Sequence, residues 1–484
     1  MKSKSVTENL VYNILYQVIV TILPIVTTPY IARVLGLHSN GIHSYTESIV
    51  TYFLIVGSLG TSLYGIRKVA YVRDNEEQLS KITLEIFILR VILMIITMFI
   101  YIPILCINSD YKVIYRIQLI NIIANALDIS WFYQGIEDFK KVTLRNLLVK
   151  MLFLLGLFIL IKEPDDLNLY ILMIVVSSLL GNVMMFFYLP QYVKVKKIKK
   201  LRPISHLRES LILFIPQSMN YVYALLDRSM LGWITNTDNV SVYDQAQRLV
   251  RVIAALLQSL GYVMMARITN LTALNDEGGI RYYLHKSIDF TLFFAIPAMA
   301  GLWAVSDDFI PIFLGKEYID VVSTLKMLCP LILTMSLNSI LGVQILIPLQ
   351  REKRYALATT GGAVTNVIVN IFLIPYIGLK GACISSLLAE IVVFFIAFTE
   401  VKDYFDLKRI FKNNYIVIIA TVVMCCVVRF ISKIEMIIFC RLSLEIVIGG
   451  SIYLAIVLLG KNEVILEILK KTRMIVKNKI IEGR

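Results

Sequence analysis

Long apolar runs separated by short polar loops make up almost the whole of this sequence. An α-helix needs about 20 apolar residues to cross a bilayer, and fourteen runs are of about that length or longer. They occupy residues 9–31, 42–66, 82–106, 113–133, 142–161, 168–193, 209–233, 240–266, 283–305, 319–348, 355–376, 381–400, 413–431 and 438–460. The pattern predicts an all-α polytopic membrane protein with about 14 transmembrane helices.

The positions of the basic residues predict an orientation. Lysine and arginine are concentrated in both terminal segments and in every second loop, while the loops between hold few of them. Loops rich in these residues lie on the cytoplasmic side of a membrane. The sequence therefore predicts an even number of spans, with both termini in the cytoplasm. It also predicts that the basic charge faces lipid headgroups and not nucleic acid.

Composition agrees with a membrane protein. Of the 484 residues, 58% are hydrophobic and only 17% charged, and the net charge is +14. The mean hydropathy is +0.74. The first apolar run is too long for a cleaved signal peptide, so it is predicted to be the first membrane helix. Neither the six cysteines nor the four histidines show metal-ligand spacing, so no cofactor or metal is predicted.

The most basic loop predicts a division of the chain into two lobes. A weak repeat supports it: Leu35-Gly36 and Leu231-Gly232 close one span of each lobe, and Tyr45 and Tyr243 open the next. The predicted order is an N-terminal lobe (1–193, spans one to six), a basic cytoplasmic linker (194–208), a C-terminal lobe (209–400, spans seven to twelve), spans thirteen and fourteen (401–460) and a basic amphipathic cytoplasmic tail (461–484).

Several basic residues lie deep inside predicted spans. A charge at the centre of a bilayer costs roughly 2.5–3.5 kcal/mol on insertion scales, so such residues face a protein interior or a water-filled cavity. The deep residues are Arg90, Lys150, Arg228, Arg248 and Arg251. One interpretation is an anion-binding cavity, since arginine matches phosphate oxygens. The alternative is pairing with carboxylates, of which Glu47, Asp128, Asp227, Asp244 and Glu390 are candidates.

Amide side chains form stripes along single helix faces. In span four, Gln118, Asn121, Asn125 and Asp128 are spaced 3, 4 and 3 residues apart, and span seven adds Gln217 and Asn220. Hydrogen bonds between helices would explain each stripe alone. Stripes in both halves favour a polar surface where the lobes meet.

Catalytic and ATP-binding signatures are missing from the sequence. There is no phosphate-binding loop of the Gly-x-x-x-x-Gly-Lys-[Ser/Thr] type, so ATP hydrolysis is not expected. No loop exceeds about 20 residues, and no nucleophile and base stand at a recognisable spacing. The sequence therefore predicts a transporter and not an enzyme.

A set of short segments resembles Wzx-type oligosaccharide-lipid flippases of the multidrug/oligosaccharidyl-lipid/polysaccharide exporter superfamily. They are PYIARVLG at Pro29–Gly36, YGIR at Tyr64–Arg67, WFYQG at Trp131–Gly135, Glu137-Asp138-Phe139, Asp227-Arg228, Gly342 to Pro348, Asn366 to Asn370, Pro375, and Gly381-Ala382 to Glu390. The resemblance implies two six-helix lobes in pseudo-twofold arrangement around a central basic cavity. It further implies alternating access and export of undecaprenyl-pyrophosphate-linked repeat units across a bacterial cytoplasmic membrane for capsule, exopolysaccharide or O-antigen.

Roles follow for the polar residues of such a cavity. The candidates for binding phosphate are Arg228, Arg248, Arg251, Arg33, Arg67 and Arg90. Snorkelling to the membrane interface is the alternative for Arg33 and Arg67, near span ends. The candidates for binding sugar are Gln118, Asn121, Asn125, Trp131, Tyr133, Gln217 and Asn220. Asp128 and Glu390 are possible carriers of a coupling ion.

Two other functions compete with flipping. A related multidrug exporter would be expected to hold an acidic residue deep in its first helix, whereas none lies between Glu8 and Glu47. A membrane-embedded polysaccharide polymerase or ligase would be expected to have a large outer loop with catalytic residues. The predicted partners of a flippase are a lipid-linked oligosaccharide, membrane lipids and a polysaccharide polymerase with other assembly proteins, but no nucleic acid.

Overall fold

The computed structural model describes residues 6–107, 110–194, 200–467 and 469–470, with backbone alone for 6–22, 25, 104–107, 139, 215–224, 260, 262 and 263. All regular structure in these ranges is helical, which confirms the all-α prediction. The α-helices are α1 (Val6–Ser58), α2 (Thr61–Val72), α3 (Glu76–Ile107), α4 (Lys112–Ala126), α5 (Ser130–Gly135), α6 (Phe139–Leu160), α7 (Leu167–Phe186), α8 (Leu207–Ile234), α9 (Thr237–Ala273), α10 (Glu277–Phe313), α11 (Ile319–Leu328), α12 (Pro330–Ser339), α13 (Glu352–Ile377), α14 (Leu379–Thr399), α15 (Leu407–Ile431) and α16 (Ile438–Leu459).

Each of the fourteen predicted ranges is mostly helical, although 42–66, 113–133 and 319–348 each cover more than one helix. Within the described residues, ten helices are long and apolar enough to cross a membrane, or up to twelve if each of two bent pairs is one span. The exact count of fourteen is therefore not confirmed. Four predicted spans, 9–31, 82–106, 209–233 and 240–266, include residues that the structure describes by backbone alone. The multi-pass character of the protein is confirmed.

Helix α1 consists of two helical segments that meet at a kink between the first two predicted spans. Inside α1, Gly36 has φ 74° and ψ 179°, which lies outside the helical region. Glycine tolerates a positive φ because it lacks a Cβ atom. The loop predicted between these spans is thus reduced to a kink at one residue.

The helices group into two compact units, Met1–Ser241 and Val242–Arg484. In the first, α4 packs on α7, α6 on α7, and α1 on α3, α6 and α8. In the second, α13 packs along α14, while α15 and α16 pack on each other and on α10. The predicted linker at 194–208 lies inside the first unit. The pseudo-symmetric lobes themselves stay a prediction.

Helix α8 belongs to the first unit, although the sequence analysis assigned it to the C-terminal lobe. Its Ser210 donates a hydrogen bond to the Leu59 carbonyl at 2.6 Å, and Tyr52 and Ser229 are joined by a hydrogen bond of 3.1 Å. The loop before α8 is also fixed, because His206 lies between Tyr64, at 2.6 Å, and Glu85, at 2.9 Å. These contacts attach α8, near its two ends, to α1 and to the turn before α2.

Candidate functional site

Two polar cavities lie side by side inside the first unit. One, of about 300 Å³, is lined by α4, α6 and α7, and the other, of about 290 Å³, by α1 to α4 and α8. Asn125 and Asp128 line both cavities, so the end of α4 and the short link to α5 form a shared wall. The predicted stripe of span four therefore does reach a cavity at its C-terminal end.

Arg90 holds this wall in place. Its guanidinium donates to the Asn125 carbonyl and to the Asn125 side-chain oxygen, both at 2.7 Å, and to Ser62 at 2.7 Å. It also forms an ion pair of 3.5 Å with Asp128. The Arg90 side chain is 2% exposed and that of Asp128 is 24% exposed. Arg90 is therefore paired with a carboxylate, which was the alternative to phosphate binding. It also lines the second cavity.

The first cavity contains two basic residues from α6. Arg145 donates to the Asn182 side-chain oxygen at 2.7 Å, and Asn182 donates in turn to the Ala124 carbonyl at 2.7 Å. These bonds join α6, α7 and α4. Lys150 and Asn146 line the same cavity, together with Ser177 and Ser178. The cavity thus presents cations, amides and hydroxyls, the groups that bind phosphate oxygens and sugar hydroxyls.

Sequence reasoning missed Arg145 and Asn182 as site residues. The sequence does contain a signal for this cavity. Asn146 and Lys150 are four residues apart in span five, and Ser178 and Asn182 are four residues apart in span six. Residues at that spacing share a helix face. Each stripe is only two residues long, too short to stand out from background before the helices are placed together.

The other members of the span-four stripe, Gln118 and Asn121, line neither of these two cavities, and their contact with sugar stays a prediction. Asn121 donates to Gln118 at 3.2 Å, and Gln118 is 2% exposed. Trp131 and Tyr133 are 1% and 0% exposed in an apolar cluster with Tyr64 and Met185. The Trp131 ring nitrogen donates to the Asp128 carbonyl at 3.1 Å, and the Tyr133 hydroxyl to the Met185 carbonyl at 2.6 Å. Burial favours a packing role for both rings, and their contact with sugar stays a prediction.

Two predicted phosphate ligands lie on α9, across from α14 in the second unit. Arg248 donates through Nε to Asp244 at 2.7 Å, an ion pair within the helix, with the Arg248 side chain 45% exposed. Arg251 donates to Gln247 at 3.1 Å, Gln247 to the Tyr243 hydroxyl at 2.7 Å, and Tyr243 bonds Ser386 of α14 at 2.7 Å. Both arginines therefore have partners and are oriented by them.

The carboxylate of Glu390 on α14 is held by an amide. Asn338 donates to its carboxylate at 2.6 Å and to its carbonyl at 2.9 Å. Nearby, Asn366 donates to Ser385 at 2.7 Å and Asn370 to Asn366 at 3.1 Å, and both asparagines are fully buried. These hydrogen bonds lie within α13 and between α13 and α14.

The remaining predicted residues lie elsewhere. Arg33 on α1 and Arg67 on α2 are exposed, and Arg67 stands 5.8 Å from the centre of the Tyr71 ring. Arg228 is half-buried on α8, next to Asp227, which is 1% exposed. Gln217 and Asn220 lie outside the described side chains. Of the predicted site residues, Arg90, Asn125 and Asp128 are the ones that lie together in the structure.

Comparison with known proteins supplies the family. A family model described as "Polysaccharide biosynthesis protein" matches residues 6–268, more than half of the chain and all of the first unit from α1 onward. The chain belongs to this polysaccharide biosynthesis family. The resemblance to Wzx-type flippases noted in the sequence is thereby confirmed, and both cavities of the first unit lie within the matched residues.

Curated relatives of this family member are transporters. A "Putative O-antigen transporter" of Shigella dysenteriae is 25% identical over 78% of this chain and 96% of its own length. A relative of the same description in Escherichia coli K12 is 20% identical over 80% of this chain and 95% of its own. A "Probable low-salt glycan biosynthesis flippase Agl15" of Haloferax volcanii is 25% identical over 35% of this chain and 36% of its own. These relatives are not enzymes, which supports the same conclusion for this family member.

Solved structures show the same fold. A lipid II flippase, MurJ, in an inward closed conformation, matches 94% of this chain and all of its own with a TM-score of 0.75 at 18% identity. An inward-facing multidrug resistance transporter of the MATE family matches 79% of this chain and 95% of its own, with a TM-score of 0.60 at 14% identity. The transporter fold expected for this superfamily is therefore confirmed.

Proposed function

We propose that this protein flips lipid-linked oligosaccharide repeat units from the cytoplasmic to the outer face of a bacterial cytoplasmic membrane. The repeat units would serve the synthesis of capsule, exopolysaccharide or O-antigen, and the carrier lipid would be undecaprenyl pyrophosphate. The observation that carries the proposal is the pair of polar cavities around Asn125 and Asp128, inside a helical unit matched by a polysaccharide biosynthesis family.

The cavity chemistry suits a charged sugar lipid. Arg145 and Lys150 would attract the phosphate or acidic groups, and the amides of Asn125, Asn146 and Asn182 would bond sugar hydroxyls. Arg228, Arg248 and Arg251 stay candidates for holding phosphate elsewhere on the path. The side chain of Arg248 is oriented by Asp244 and 45% exposed, which a ligand would require. The polyprenyl tail would stay in lipid.

The proposed mechanism is alternating access with both termini in the cytoplasm. Two six-helix lobes in pseudo-twofold arrangement would expose the polar path first to one side and then to the other. Moving negative charge outward is favoured by an inside-negative potential, at about 2.3 kcal/mol per charge for each 100 mV. A polysaccharide polymerase on the outer face would use the flipped units.

The decisive experiment measures on which face the sugar lipid accumulates. Cells lacking this protein are expected to accumulate complete, unpolymerised repeat units that an externally added, membrane-impermeant glycosidase or lectin cannot reach. Restoring the gene should expose them and restore polymer. A polymerase would leave the units accessible outside when it is missing, and a drug exporter would leave polymer unchanged. Full external accessibility in the deletion strain would contradict the proposal.

The first cavity provides a residue-level prediction. Replacing Lys150 with glutamine is expected to lower export of repeat units at least tenfold, because the variant removes a cation from the cavity while keeping a polar side chain of similar length. Arg145→Gln should act in the same direction. Polymer yield per amount of membrane-inserted protein is the measurement. Lys408→Gln, at an exposed position before the membrane part of α15, is the matched control and should leave export unchanged. Equal yields from all three variants would remove this cavity from the substrate path.

A further inference from the structure

A cluster of charged side chains joins one end of α10 to α11, α15 and α16. Asp307 of α10 accepts hydrogen bonds from Lys326 of α11 at 2.7 and 2.8 Å and from Arg429 of α15 at 2.5 Å. The Trp303 ring lies against both cations, at 5.5 Å from Lys326 and 5.3 Å from Arg429. Both carboxylate oxygens of Asp307 therefore accept hydrogen bonds from cationic side chains.

The neighbouring Asp308 is bound by a different cation. Arg441 of α16 donates to one carboxylate oxygen of Asp308 at 2.5 Å and to the other at 2.6 Å. Asp308 is 5% exposed. This two-point geometry is the strong form of an arginine–carboxylate pair, and it fastens α16 to α10.

Glu445 is the third carboxylate of the cluster, and it differs from the other two. It lies one helical turn after Arg441 on α16 and is 1% exposed. Both carboxylate oxygens are buried, and neither has a hydrogen-bond partner among the described residues. The charged groups that act on it are Asp308 and Asp307 from α10, Arg441 from its own helix, and Arg429 from α15. Lys326 is bonded to Asp307 instead.

An ionised carboxylate in this position would be expensive. A buried charge without hydrogen bonds costs several kcal/mol, and such groups become neutral when they can. Arg441 and Arg429 offset this cost only in part, because they act on Glu445 through their charge while the hydrogen bonds recorded for them go to Asp308, Asp307 and the Ile434 carbonyl. A metal ion is not suited to the site either, since the described residues contain no group of three or more metal-ligating side chains.

We propose that Glu445 is a proton-binding site, and that its proton controls the link between α10 and α16. With the proton bound, the carboxyl group is neutral and Arg441 keeps both bonds to Asp308. When the proton leaves to water at this end of the helices, the Glu445 carboxylate competes with Asp308 for the same guanidinium. The only covalent change is the making or breaking of one O–H bond. This site does not depend on the transported substrate.

The two carboxylates predicted from sequence as ion carriers differ from Glu445 in their hydrogen bonding. Asp128 is paired with Arg90 and accepts a hydrogen bond from the Ser130 amide at 2.9 Å, and Glu390 accepts from Asn338. Both carboxylates thus accept hydrogen bonds from neighbouring donors. Glu445 has no such support among the described residues, so the neutral form is the one that its surroundings favour.

Infrared difference spectroscopy of the full chain in lipid nanodiscs tests the proposal directly. On titration from mildly acidic to alkaline pH, the wild-type protein is expected to lose a carbonyl band of a buried protonated carboxylic acid. In Glu445→Gln that band should be missing throughout. The matched control is Glu435→Gln, an exposed position at the same end of the helices, where the band should persist.

The same variants also test whether the proton on Glu445 affects the stability of the protein. The thermal midpoint of the wild type should fall as the pH rises, because the buried group is then forced to ionise, while Glu445→Gln should lose this dependence. If Glu445→Gln does not accumulate, Glu445→Asp keeps a carboxyl group and should shift the band. A wild type without the band, or a band that none of these Glu445 changes alters, would overturn the proposal.

Discussion

Replacing Arg90 with alanine is expected to destabilise the first unit by about 3–5 kcal/mol, the usual cost of removing one partner from a buried ion pair. The change leaves Asp128 without its cation and removes the donors that hold the Asn125 carbonyl and amide. Since Asn125 and Asp128 are the wall between the two cavities, export should be lost with the fold of this wall. The measurement is the folded fraction of purified protein on heating, alongside its abundance in the membrane.

Two further variants make this prediction specific. Arg67→Ala removes an exposed arginine from α2 that stands 5.8 Å from one aromatic ring, so it should cost no more than about 1 kcal/mol. The double variant Arg90→Ala, Asp128→Ala should be less damaged than the sum of the single ones, because the stranded carboxylate is removed with its partner. Additive losses, or equal effects at Arg67 and Arg90, would mean that the pair contributes nothing specific.

Replacing Gly60 with alanine is expected to cost about 2–5 kcal/mol and to loosen α8 from α2. Gly60 has φ +73°, where an alanine is disfavoured by roughly 1–2 kcal/mol. A Cβ atom there would also lie 2.8 Å from the Ser210 carbonyl oxygen and 3.0 Å from the Phe214 amide nitrogen, both backbone atoms of α8. Backbone atoms cannot turn aside as a flexible side chain does, so the overpacking adds to the strain.

Gly450→Ala is the control for this substitution. Gly450 lies in α16, and a Cβ atom there would meet nothing within 4 Å. Alanine is preferred to glycine inside a helix by roughly 1 kcal/mol, so this variant should be as stable as the wild type or slightly more stable. Protease sensitivity of the residues before α8 is the second measurement. It should rise in Gly60→Ala alone. A stable Gly60→Ala protein would show that α8 does not require this close contact.

The helices could be predicted from the sequence because the bilayer imposes one requirement on all of them. Each needs an uninterrupted apolar run, and such runs are visible one at a time, as in α3 or α16. The kink at Gly36 was hidden, since a polar stretch near a glycine is equally typical of a loop. The number of spans is harder to predict than their positions. Bent pairs such as α11 with α12 are long enough to cross a membrane only when the two helices are taken together.

The site was only partly predictable, and the reason is distance along the chain. The sequence places Arg90 deep in a span, with phosphate binding and a carboxylate partner as the alternatives. Asn125, 35 residues away, becomes its main acceptor only after α3 and α4 pack. Trp131 shows a different difficulty. An aromatic residue within a resembling motif suggested a ligand contact, while the ring fills the space opposite Gly65, where a Cβ atom would come within 2.4 Å of it.

The attachment of α8 has a consequence for the gene as well as for the protein. The basic segment 194–208 is the natural place to cut this chain in two, yet everything after it begins with a helix that packs on what came before. A second polypeptide starting at residue 200 would carry α8 and the loop in which His206 bonds Tyr64 and Glu85. Such a fragment brings its own docking element to the first. Two separately translated halves should therefore find each other in the membrane and restore polymer, with no covalent connection between them.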